Sequence, residues 1–186
     1  MSLNSGKVLI MKKILLAVAM SSVMITGAHA AEDQGHGKIT FKGSVIDAPC
    51  SIDADSLDQT VQLGAIAKGA LEGGNRSTPV DFSIQLHDCA FENSNEVNVA
   101  FNGYEGDKTA GLESSFAVTG QAQGVGVTIT DMGSNVIAPN TSAKAIVLND
   151  GDNELQFQAY VQGATTSGAV VPGTFTSTAN FVMSYE

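Results

Sequence analysis

The stretch that decides the fold is the last one, Gly173-Thr-Phe-Thr-Ser-Thr-Ala-Asn-Phe-Val-Met-Ser-Tyr-Glu186. Apolar residues alternate there with small or polar ones almost to the final residue. Successive side chains of a strand point to opposite faces, so Phe175, Ala179, Phe181, Met183 and Tyr185 are expected to share one face. No later segment is available to pair with the open side of that strand, and an apolar open edge is an aggregation template that proteins normally cover. At the other end a second alternating run, Lys38-Ile-Thr-Phe-Lys-Gly-Ser-Val-Ile46, precedes the first cysteine. One end reads as a groove wanting a strand and the other as a strand to give.

Between the two ends every clear periodicity is two rather than 3.6. Val80, Phe82, Ile84 and Leu86 alternate with small or polar residues, as do Val97, Val99 and Phe101, then Val125, Val127 and Ile129, then Leu155, Phe157, Ala159 and Val161. Shorter runs lie at Val61–Leu63, Ser115–Val118 and Ala145–Leu148. Turn clusters separate them: Glu72-Gly-Gly-Asn75, Glu92-Asn-Ser-Asn95, Asn102-Gly103, Asp131-Met-Gly-Ser134 and Asn149-Asp-Gly-Asp152. Short half-buried strands with such turns predict an all-β sandwich. Only Ala65 to Leu71 offers a helical turn, weakened by Gly64 and Gly69.

The N-terminal segment belongs to targeting. Met11-Lys12-Lys13, the apolar run from Ile14 to Ile25 and Ala28-His29-Ala30 make a secretory signal peptide over residues 1–30, with the start expected at Met11 and cleavage after Ala30. The apolar run is too short to span a bilayer, so the chain is not expected to be membrane-embedded. All 19 acidic residues follow Ala30, but Lys7, Lys12 and Lys13 precede it, which leaves six basic residues and a formal charge of −13. That charge argues against nucleic acid or an anionic membrane as partner and favours solubility outside the cytoplasm. Cys50 and Cys89 in an exported chain are expected to form a structural disulfide, worth roughly 4 kcal/mol in the chain-entropy model.

The residues carry no recognisable catalytic constellation. His87 falls on the polar phase of its strand, where facing solvent is the expected role, and His36 lies in a Gly-rich segment; neither accompanies a nucleophile motif. Gly35-His-Gly37 lacks the third glycine and the strand–helix context of a nucleotide fingerprint. Asp150-Gly-Asp-Asn-Glu154 lacks the ligand spacing of a calcium loop and reads as a hairpin turn. Asn140-Thr-Ser142 fits a glycosylation acceptor but has nothing further to support it. No cofactor, metal or enzymatic activity is expected.

In their order, these pieces resemble the pilin subunits of bacterial chaperone–usher fimbriae, most closely the major rod subunits of the type 1 and P pilus kind. Gly37-Lys-Ile-Thr-Phe-Lys-Gly-Ser-Val-Ile-Asp-Ala-Pro-Cys50 is similar to the family's N-terminal extension running into the first cysteine. Asp58-Gln-Thr-Val-Gln-Leu-Gly64 resembles the stretch that follows, and Phe82-Ser-Ile-Gln-Leu-His-Asp-Cys89 the strand carrying the second cysteine. Gly173, fourteenth from the end, and penultimate Tyr185 resemble the chaperone-recognition motif.

The resemblance implies an incomplete immunoglobulin-like sandwich lacking its last strand, with residues 31–47 as a donor-strand extension and 48–186 as the pilin domain. It implies a structural fimbrial subunit that borrows a strand from a periplasmic chaperone. At an outer-membrane usher, the next subunit's extension replaces that strand, giving a homopolymer on the bacterial surface. Donor residues would be Ile39, Phe41, Gly43 and Val45. The acceptor groove and chaperone recognition would involve Gly173, Phe175, Phe181, Met183 and Tyr185. Burying Ile39, Phe41 and Val45 would contribute roughly 5–9 kcal/mol at about 1.5–3 kcal/mol each, against a whole-domain stability of about 5–15 kcal/mol. The residues alone also allow Ile39 to Val45 to be the first strand of its own sandwich. A minor adaptor or terminator pilin, or a secreted monomeric sandwich binding a small ligand or sugar, are the other readings.

Overall fold

A computed structural model describes residues 35–92 and 94–185; the signal peptide expected over residues 1–30 lies outside them. The chain divides into two units, Met1–Val45 and Ile46–Glu186. Of the first, residues 35–45 form no helix or strand and are exposed throughout.

The second unit is the all-β body. Its strands are β1 (Ser51–Ile52), β2 (Val80–Cys89), β3 (Glu96–Asn102), β4 (Thr119–Gly120), β5 (Val125–Asp131), β6 (Val136–Ile137), β7 (Ile146–Val147), β8 (Gly151–Gly163), β9 (Phe175–Thr176) and β10 (Asn180–Tyr185). They form a five-stranded sheet in the order β1-β2-β8-β5-β6, a three-stranded sheet β10-β3-β7 and a small β4-β9 pair. Every described ladder is antiparallel.

Register follows from alternation, because a slip of one residue would turn each apolar face to water. On β2 and β8, Phe82 opposes Phe157 and Ile84 opposes Leu155. On β10 and β3, Phe181, Met183 and Tyr185 oppose Phe101, Val99 and Val97. The two sheets meet over these faces. Phe101 stands edge-on to Phe157 with ring centroids 5.1 Å apart, while Phe82 and Phe157 lie 5.7 Å apart. The core around them includes Ile84, Leu86, Val97, Val99, Leu148 and Leu155. A smaller cluster of Leu71, Val125, Val161 and Val170 closes the body elsewhere.

Several expectations from periodicity need correction. The C-terminal strand is broken: Phe175 pairs with Gly120, β10 begins again at Asn180, and Ala179 is exposed between them. The hairpin turn expected at Asp150–Glu154 is not one, since β7 and β8 belong to different sheets. It carries the chain from one layer to the other, and the Asn153 side chain closes it by accepting from Asn149 N at 2.9 Å and donating to Asn149 O at 2.7 Å. Val61–Leu63 forms no strand, and Ser115–Val118 contributes only the isolated bridges of Phe116 to Glu105 and to Val127. The helical turn expected at Ala65–Leu71 narrows to a 3-10 turn, Lys68–Ala70. The Asn140 side chain is tied to both backbone groups of Gly103, at 3.1 and 3.2 Å, and so serves as a staple.

Candidate functional site

The two sheets do not close around the core on one side. β10 ends the three-stranded sheet and β1 ends the larger one, and no described strand pairs with the outer edge of β10. Between these edges lies an apolar cavity of about 140 Å³, lined by Ile46, Ala48, Cys50 and Ile52 on one wall and Phe181, Met183 and Tyr185 on the other.

The β1 wall is short but firmly held. Ser51 and Ile52 pair with His87 and Leu86, and the Cys50–Cys89 disulfide ties the start of β1 to the end of β2. Beyond the strand, Asp53 N donates to Gln85 O at 3.0 Å and Ala90 N to Pro49 O at 2.9 Å. Asp53 Oδ1 then accepts from Asp55 N at 2.8 Å and starts the single helical turn Ala54–Leu57. His87 does not merely face solvent. Its Nδ1 lies 3.1 Å from Asp152 Oδ1 and its Nε2 3.3 Å from Asp53 Oδ2. The Asp152 hydrogen bond, with that from Asp53, raises the imidazole pKa above its ordinary value. The histidine thus links the β1 wall to the start of β8.

The β10 wall is held from one side only. Its backbone pairs with β3 along all of Asn180–Tyr185, while Phe181, Met183 and Tyr185 stay half-buried. The Tyr185 hydroxyl is buried with no hydrogen-bond partner among the described residues, and burial pushes its pKa up. A seam of this kind presents apolar side chains beside a row of open main-chain groups, which is the surface that an added strand can satisfy.

The remaining residues singled out from the sequence fall in different places. Phe175 packs beside Leu71, Val125 and Val161, away from the cluster that holds Phe181 and Met183. Gly173 sits against the backbone of Gln121 and Ala122, where a Cβ would lie 2.6 Å from Ala122 N. Ile39, Phe41 and Val45 are 78%, 89% and 102% exposed, and space around Gly43 is open. Ile46, Ala48 and Ile52 were not legible as groove residues, although they share one phase with Cys50. The signal was the adjacent apolar pair Val45-Ile46, where the odd phase of Ile39, Phe41 and Val45 gives way to the even phase of the wall. That switch coincides with the boundary between the two units.

A two-layer β-body with one sheet edge left open beside an apolar groove is an incomplete immunoglobulin-like sandwich. The chain belongs to the fimbrial protein family, whose model matches residues 39–186. The Fimbria A protein of Serratia marcescens is 43% identical over 176 residues, covering 95% of this chain and 99% of its own length. The Major MR/P fimbria protein of Proteus mirabilis matches to the same extent, 43% over 176 residues. Among solved structures, the P pilus rod subunit PapA superposes with a TM-score of 0.65 at 30% identity, over 75% of this chain and 100% of its own. A chain of a solved chaperone–usher pilus gives 0.69 at 32% identity, over 82% and 97%. The protein is therefore a major pilin of the chaperone–usher class: a structural subunit that contacts neighbouring subunits in an extracellular surface fimbria.

Proposed function

We propose that the subunit polymerises by donor-strand complementation. Residues 39–45 of one copy insert beside β10 of another and complete its sandwich. The observation that carries this reading is the pairing of two unfinished parts. β10 has an open edge along an apolar groove, and an alternating apolar segment stands exposed at residues 39–45. In the inserted strand Ile39, Phe41 and Val45 face the core, and Gly43 lets the wall approach closely. Phe181 and Met183 line the acceptor groove and Tyr185 marks its end, whereas Gly173 and Phe175 shape the body behind it.

Before assembly a periplasmic chaperone covers the same edge with a strand of its own, and the outer-membrane usher is where the exchange takes place. The need for such cover follows from the physics of an exposed apolar edge. The subunit's role is structural rather than catalytic, in keeping with relatives that are fimbrial pilins. Deleting residues 32–45 tests the reading. The truncated subunit is expected to accumulate in the periplasm in complex with chaperone and to give no fimbriae; normal fimbriae from it would contradict donor-strand assembly.

A further inference from the structure

The donor segment and the body differ in charge in a way that apolar burial does not explain. Glu32 and Asp33 lie ahead of the donor segment, and from residue 35 onward every acidic residue lies at or after Asp47, in the body. The body's own cations are already engaged. Lys68 pairs with Glu72 at 3.2 Å, Lys108 with Glu105 at 3.1 Å, and the Arg76 guanidinium stands 5.0 Å over the Tyr160 ring. Lys144 adds its charge to the Asn135 hydrogen bonds that hold the Asp131 carboxyl low. Residues 35–45, by contrast, carry Lys38 and Lys42 and no acidic group. Both lysines are exposed and make no ion pair among the described residues. They occupy the phase opposite to Ile39, Phe41 and Val45, so they remain outside when those residues are buried.

The body offers one of them a particular place. Next to the groove, and sharing Tyr185 with it, lies an open cleft of about 520 Å³ whose lining includes Asp47, Ala48, Phe91 and Glu92. All described pairings in the body are antiparallel, and a strand added to β10 in that sense runs with its N-terminal residues toward Tyr185. Residues before Ile39 then lie toward the Tyr185 end, where Asp47 and Glu92 are among the residues lining the cleft.

Resting on the donor-strand reading, we propose that the acidic body of one copy recognises the lysines of a second copy's extension, with Lys38 seated between Asp47 and Glu92 and Lys42 further along the rim. Opposite charge at the rim of an interface speeds encounter and fixes register more than it adds affinity. The −13 charge that makes copies repel one another therefore also draws in the one segment that joins them.

A charge swap tests this in bacteria that assemble the full chain into fimbriae, with fimbriae sheared from the surface and quantified. Lys38→Glu with Lys42→Glu, and separately Asp47→Lys with Glu92→Lys, should each lower the fimbrial yield several-fold. The four changes together should restore it, because every extension is then acidic and every cleft basic. Lys38→Gln with Lys42→Gln, which leaves the body untouched, should lower the yield less but in the same direction. Wild-type yield from both lysine variants, or a fourfold variant no better than its parents, would overturn the proposal. Phe41→Ala reports on the underlying reading: it should abolish assembly whatever the charges, and assembly of that variant at wild-type yield would sink both ideas.

Discussion

His87 shows how a residue on the polar face of a strand can serve the seam. It bridges Asp152 and Asp53, and its raised pKa means that the folded state binds the proton more tightly than the unfolded one. The pairing therefore contributes in full below the ordinary histidine value of 6.5 and is lost as pH rises through the higher folded value. Carboxylates with lowered values, such as Asp131 and Glu154, act in the opposite sense and at lower pH. Between neutral and mildly acidic pH the histidine should thus dominate, with the wild-type Tm rising as pH falls. His87→Gln should flatten that slope; an unchanged slope would show that the bridge carries no weight. Gly173 belongs to the same scale. Its Cβ position is filled by the backbone of Gln121 and Ala122, so Gly173→Ala should cost about 1–3 kcal/mol, read as a lowered urea midpoint. A neutral outcome would mean that the neighbouring loop yields freely.

Among the elements, one of the shortest has the largest consequence. β1 pairs through only Ser51 and Ile52, yet it forms one wall of the groove because the disulfide and the Asp53 and Ala90 backbone bonds hold the chain on both sides of it. Replacing Cys50 and Cys89 by Ser should cost roughly 4 kcal/mol and loosen this wall in particular. Hydrogen exchange at Ser51–Asp53 should then quicken more than at β8, and uniform acceleration would contradict the assignment. The long alternating strands β2, β3, β5 and β8 were legible in the sequence because burial of one face imposes period two. The interruption between β9 and β10 was not, since Phe175 and Phe181 keep the same phase across it. Neither was the layer crossing at Asn149–Asp152, whose Gly and Asp residues suit a hairpin equally well. The inner wall of the groove was hidden because its phase differs by one residue from that of the segment before it, and only the fold shows where one ends and the other begins.

For the whole molecule, the proposed joint has two halves, the groove beside β10 and the exposed segment 39–45 of another copy. Burial of Ile39, Phe41 and Val45 at about 1.5–3 kcal/mol each is comparable with the stability of a domain, so a subunit in the fibre should be far more resistant to unfolding than one outside it. Both proposed halves are alternating runs, so the two unfinished ends are legible in the sequence. Which wall they meet, and the acidic cleft beyond Tyr185, emerge only when β1 and β10 are brought side by side. The most direct test is a high-resolution cryo-electron microscopy map of the assembled fimbria. Residues 39–45 of one copy should lie antiparallel to β10 of its neighbour, with Ile39, Phe41, Gly43 and Val45 facing Phe181 and Met183. A map in which each extension pairs within its own chain, leaving β10 of the neighbour uncovered, would contradict it.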